Sequence, residues 1–169
     1  MKMRANKHVA VMLETKGPEI RTGANAGNKP IDLLLGRDLD IITDFSHAGT
    51  SDKIGCSYKE LPMAVQVGSL IYIDNGQLKC EVKQILDNGV KVEVKNNYEL
   101  GSSKNMYFPR CNIDMPILTE KDEEDITEFI TRKDCFDMIA VSGVRKAEDI
   151  DQIRECLGTR THVKIFAKI

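Results

Sequence analysis

The sequence predicts an α/β layer interrupted by an all-β domain, and three observations predict it. A short continuous apolar run stands near the start of the chain. Alternating runs joined by two Asp-Asn-Gly turns fill the middle. Helix-period and strand-like segments then take turns to the end.

His8 to Leu13 (HVAVML) is the pattern of a strand buried on both faces. Glu14-Thr15-Lys16-Gly17-Pro18 ends it, because Gly and Pro take the chain out of a sheet. From Pro18 to Asp114 the pattern is antiparallel β. Leu70 to Ile73 runs into Asp74-Asn75-Gly76, Gln77 to Gln84 alternates, and Ile85-Leu86 leads through Asp87-Asn88-Gly89 into Val90 to Val94. Asn-Gly tolerates positive φ and so suits tight hairpins. This part reads as a compact domain of about 100 residues, the size of a small barrel.

From Met115 the period changes. Thr119-Glu120-Lys121-Asp122 resembles a capping box, and Ile126, Phe129 and Ile130 follow at i, i+3, i+4. Phe136 to Val141 reads as a strand. Ala147 to Leu157 reads as a helix, with Ile150, Ile153 and Leu157 inward and Gly158 at its C′ position. His162 to Ile169 reads as a last strand. The expected boundaries are therefore 1–17, a strand of the α/β layer; 18–115, the inserted β domain; and 116–169, helix–strand–helix–strand. Three strands and two helices are too few to close a barrel and leave open edges, so the chain reads as a fragment.

Composition narrows the function. The 169 residues carry a net charge of -2 and a pI near 6.0, without the basic excess of a nucleic-acid binder. Trp is absent and aromatics make up 5%, which leaves no stacking platform for single strands. No apolar run approaches the roughly 18 residues of a membrane span. Met1 to Lys7 is basic, but Val9 to Leu13 is too short for a signal peptide, so the start reads as a solvated end and the location as cytoplasmic. Cys56, Cys80, Cys111, Cys135 and Cys156 are odd in number, widely spaced and without C-x-x-C, the pattern of reduced thiols. His8, His47 and His162 lack ligand spacing. All eight read as structural.

Nine consecutive residues, Thr15 to Gly23 (TKGPEIRTG), resemble the signature of the pyruvate kinase family, which joins a barrel strand to the lid-like B domain. The resemblance continues through Cys56 to Pro62, Val67 to Ser69, Ile71 to Gly76 and Ser103 to Met106. It resumes at Thr119 to Asp122, Val144 to Asp149 and Lys164 to Ile169. It implies a (β/α)8 TIM barrel with an antiparallel β-barrel B domain inserted after the third strand. The implied activity is phosphoryl transfer from phosphoenolpyruvate to ADP, giving pyruvate and ATP in glycolysis. The implied cofactors are Mg2+ and K+, and the implied parent is a homotetramer.

The resemblance also assigns roles. Lys168 matches the catalytic lysine that stabilises the phosphoryl group in transit. Arg21 and Lys104 match residues that contact nucleotide phosphates. Glu14 and Thr15 match potassium ligands, and Glu19 matches the glutamate of potassium-dependent members. Position 14 departs from the family, which has Asp there, and the extra methylene shifts the carboxylate. Asn75, Gly143 and the Tyr107-Phe108-Pro109-Arg110 wording depart as well. The family's magnesium carboxylates match nothing in these residues, so the chain alone is expected to be inactive. Two other readings stay open: a non-enzymatic binding module built on the β domain, and another enzyme of the barrel superfamily that uses phosphoenolpyruvate.

Overall fold

A computed structural model describes residues 9–131, 136–160 and 162–169; for residues 130 and 131 it describes the backbone alone. In chain order the elements are β1 (Met12–Glu14), β2 (Ile31–Leu33), β3 (Asp38–Ile42), β4 (Lys53–Gly55), α1 (Leu61–Ala64) and β5 (Leu70–Ile73). Next come β6 (Leu78–Leu86), β7 (Gly89–Val94), β8 (Tyr98–Leu100) and β9 (Met106–Tyr107). The last four are α2 (Glu120–Thr131), β10 (Met138–Ser142), α3 (Ala147–Leu157) and β11 (Lys164–Lys168). The chain divides into two compact units: residues up to Pro18 together with those from Met115 on, and Glu19–Asp114.

The first unit holds a parallel three-stranded sheet in the order β1-β10-β11. Leu13, Ile139, Val141 and Ile165 belong to one apolar cluster with Ile126 and Phe129 of α2 and Ile150, Ile153 and Leu157 of α3. Alternation then sends Glu14, Ala140, Ser142, Phe166 and Lys168 to the other face. Thr119 starts α2 as expected: its hydroxyl accepts from the Asp122 amide at 3.1 Å and donates to the Asp122 carboxylate at 2.6 Å. α3 ends at Gly158, with φ of 60°.

The exposure of Met12 corrects the expectation that the first strand is buried on both faces, and the last strand is exposed as well. Met12 is 46% exposed and Phe166 48%. Each outer strand is paired along one edge only. The expected strand Phe136 to Val141 begins two residues later, with Phe136 buried ahead of it. His8, Cys135 and the side chain of Ile130 lie outside the described residues.

The second unit is a six-stranded sheet, β4-β3-β7-β6-β5-β9, beside a β2-β8 pair. Isolated bridges from Thr22 to Cys56 and from Arg21 to Asn105 link the strand segment 21–22 to both ends of that sheet. Leu39, Ile41, Ile71, Ile73, Leu78, Val82, Val90 and Val92 are buried inside it. The named strands of this unit pair antiparallel except for β3 and β4, which run parallel because residues 43–52 carry the chain back to the starting end.

Both expected hairpins form, by different means. At the first, Asp74, Asn75 and Gly76 take φ of 52°, 55° and 85°. At the second, Leu86 pairs with Gly89, so Asp87 and Asn88 alone make the turn, and neither Asn88 nor Gly89 has positive φ. Gly89 is there for space: a Cβ would lie 2.1 Å from the Ile41 carbonyl oxygen. No described helix is long and apolar enough to cross a membrane.

Candidate functional site

In the first unit the C-terminal ends of the parallel strands bring three expected residues together. Ser142 of β10 pairs in register with Lys168 of β11, and Glu14 ends β1. The Lys168 ammonium forms an ion pair with the Glu14 carboxylate and donates to Ser142 Oγ at 3.2 Å. Ser142 Oγ in turn donates to the Thr15 carbonyl at 2.7 Å, while the Ser142 amide donates to Thr15 Oγ1 at 3.1 Å. Thr15 is buried, and Ser142 binds both of its oxygens. The result is a cation at a strand end with hard oxygens next to it. Such a cation can meet negative charge that develops on a transferring group.

The turn after Thr15 is held by α2. Asp122 Oδ1 accepts from the Lys16 amide at 2.9 Å, and Oδ2 accepts from the Gly17 amide at 3.1 Å. The Thr119 amide reaches the same Oδ2 at 3.0 Å. Burial pushes the Asp122 carboxyl up, and these hydrogen bonds outweigh it, so its pKa lies below the ordinary value. Gly17, at φ of 69°, sits where a Cβ would come within 2.9 Å of the Ser142 carbonyl oxygen.

The second unit gathers the other three expected residues. Arg21 Nε donates to Glu19 Oε2 at 2.8 Å, and Nη1 donates to the Ser103 carbonyl at 2.7 Å. Glu19 is thus bound to Arg21 rather than standing as a solvated acid at a turn. Lys104, next in sequence to Ser103, places Nζ 2.9 Å from Asp74 Oδ2. The Tyr98 hydroxyl donates to that same oxygen at 2.6 Å. Tyr98 foremost, and then Lys104, hold the Asp74 carboxyl below its ordinary range. Asn75 and Asn105 join the two loops, their side chains meeting at 2.7 Å. Two cations on adjoining segments, one a planar fork and one a point charge, suit an anionic phosphate chain.

Ser142, Asp74, Tyr98 and the long-range role of Asp122 were not apparent from the sequence. Their partners lie between 24 and 127 residues away, and no local motif signals them. Among the described residues no three His, Cys, Asp or Glu side chains gather to hold a metal ion. For potassium, the Glu14 carboxylate and the Thr15 oxygens are hard donors of the kind an alkali cation takes.

Comparison with known proteins agrees on one family. The model of the pyruvate kinase barrel domain matches residues 1–169. A pyruvate kinase of Eimeria tenella is 43% identical over the whole chain, and a cytosolic pyruvate kinase isozyme of potato (Solanum tuberosum) is 38% identical over 95% of it. The crystal structure of a pyruvate kinase from Cryptosporidium parvum superposes with a TM-score of 0.88 at 40% identity, over 99% of this chain and 35% of that one. The chain spans 32% of the length of those two curated relatives. This chain belongs to the pyruvate kinase family.

Proposed function

We propose that the full-length protein containing this chain is a pyruvate kinase, passing the phosphoryl group of phosphoenolpyruvate to ADP in glycolysis. The observation that carries the reading is Lys168. It ends a parallel strand, where catalytic groups of α/β barrels sit, with its ammonium fixed by Glu14 and Ser142. Phosphoryl transfer needs positioned cations more than covalent chemistry.

The wider architecture follows the same reading. β1, β10 and β11 are consecutive strands of a (β/α)8 barrel, and Glu19–Asp114 is its inserted B domain, falling in sequence between β1 and α2. Arg21 and Lys104 bind nucleotide phosphates. Glu14 and Thr15 contribute oxygens to potassium, and Glu19 serves potassium dependence by fixing Arg21. When bound, Mg2+ would neutralise charge on the phosphate oxygens, and no metal-holding cluster for it is found among the described residues. A cytosolic homotetramer completes the proposal, in keeping with relatives of potato and soybean (Glycine max) named as cytosolic isozymes.

The test is a lactate-dehydrogenase-coupled assay on the full-length protein with Mg2+, K+, phosphoenolpyruvate and ADP. Lys168→Met should lower kcat on the order of 10²-fold or more, the scale of losing one preorganised charge partner of the transition state. Arg21→Ala should also raise KM for ADP, because its phosphates are present in the ground state. A Lys168→Met enzyme with near-normal kcat and a raised KM for phosphoenolpyruvate would make Lys168 a ground-state binder and overturn its role.

A further inference from the structure

Asp122 does more than its place in the first turn of α2 requires. The local cap needs only Thr119 Oγ1, which accepts from the Asp122 amide, and one Asp122 oxygen, which accepts from the Thr119 amide. Yet the Asp122 carboxylate is almost fully buried, and it accepts from two consecutive backbone amides, Lys16 and Gly17, that lie 106 and 105 residues earlier. Those amides belong to the turn directly after Glu14 and Thr15.

The turn is gripped from a second side as well. Ser142 binds both oxygens of Thr15, and Gly17 packs so closely on the Ser142 carbonyl that a Cβ would lie 2.9 Å away. With β10 on one side and α2 on the other, residues 15–17 have no freedom to drift. Take away the carboxylate and two neighbouring N–H groups lose their acceptor, one of them buried.

We infer that Asp122 is a positioning residue: through the Lys16 and Gly17 amides it fixes the Thr15–Gly17 turn and thereby sets where the Glu14 and Thr15 oxygens stand. The inference rests on the proposed function only in taking those oxygens to serve potassium. A residue that orients a metal ligand without touching the metal commonly governs affinity by roughly 10- to 100-fold.

The experiment compares the full-length wild type with Asp122→Asn, Asp122→Ala and Thr119→Val. Asp122→Asn keeps the shape but leaves one acceptor oxygen, so either the Lys16 amide or the Gly17 amide meets an N–H2 group instead of an acceptor. Thr119→Val removes the hydroxyl of the local cap and leaves the carboxylate. Hydrogen exchange, read by mass spectrometry on a peptide covering residues 12–18, should speed up by roughly 10-fold or more in both Asp122 variants, the scale of losing a hydrogen bond to a charged group. The potassium concentration for half-maximal turnover should rise by roughly 10-fold or more in the same two. Thr119→Val should stay near wild type in both readings. Wild-type exchange in the Asp122 variants would overturn the inference. So would an equal effect of Thr119→Val, which would reduce Asp122 to a helix cap. Faster exchange with an unmoved potassium requirement would overturn its reach to the site. If the wild type itself fails to turn over phosphoenolpyruvate and ADP, the proposed function falls, and the exchange data alone decide whether Asp122 holds the turn. The isosteric Asp122→Asn keeps the comparison decisive should the alanine variant fail to fold.

Discussion

Lys104 is restrained by the unit that presents it. Its ion pair with Asp74 is partly exposed, and pairs of that kind contribute at most about 1 kcal/mol, so a phosphate can compete for the ammonium. The Tyr98 hydroxyl donates to the same Asp74 carboxylate and favours its charged form. The cysteines divide by burial at the same scale. Burial pushes the Cys56 thiol up to about 11 and the Cys80 thiol up to about 12. Thiolate is the reactive form, so at neutral pH both should resist iodoacetamide in the folded protein and react once it is unfolded. Mass-spectrometric mapping of the alkylated peptides checks this; rapid labelling of Cys80 in native conditions would contradict its burial. The sequence showed scattered thiols, and only the packed sheet shows which are inert.

At the scale of elements, the two Asp-Asn-Gly strings show how one signal can serve two needs. The first turn uses positive φ in three successive residues. The second uses none, and Gly89 instead clears the backbone of β3. Gly89→Ala should therefore destabilise the β unit through a forced shift of β3, by about 1–3 kcal/mol or more, the scale of overpacking a core. Gly76→Ala should cost less, because nothing stands near its Cβ position and the penalty is that of positive φ alone. Denaturant midpoints of the two variants provide the comparison, and a larger loss at Gly76 would reverse it. The cap of α2 was legible as Thr119 and Asp122. The grip of Asp122 on Lys16 and Gly17 was not, since a residue 106 positions away has no local signature.

For the molecule as a whole, the β unit has its own core and its own hydrogen-bonded closure through Arg21 and Thr22. A polypeptide of residues 19–114 should fold by itself, giving a dispersed amide spectrum and a cooperative thermal transition; a collapsed, random-coil spectrum would show that it depends on the rest. The α/β unit stands differently, with Met12 and Phe166 exposed on a sheet whose outer strands each have one partner. Its strands were placed from their apolar runs, but the first of them, His8 to Leu13, was read as buried on both faces. Burial is set by what packs against a strand, and an apolar run states only a tendency.

The sequence by itself determined the order of elements, the change from period 2 to period 3.6 near Met115, the start and end of α3, and the family. Each of these is written in neighbouring residues or in an unbroken string such as Thr15 to Gly23, so local chemistry suffices to read it. The tertiary structure alone decided that Ser142 ties Thr15 to Lys168, that Asp74 and Tyr98 hold Lys104, that Glu19 binds Arg21, and that Asp122 anchors a distant turn. Most of these contacts join residues far apart along the chain. Glu19 and Arg21 stand two positions apart in the Thr15 to Gly23 string, and the folded chain brings two nitrogens of Arg21 to one Glu19 oxygen. In each case the partner is chosen by where the folded backbone sets two side chains within hydrogen-bonding distance, and that distance exists only after the strands have paired.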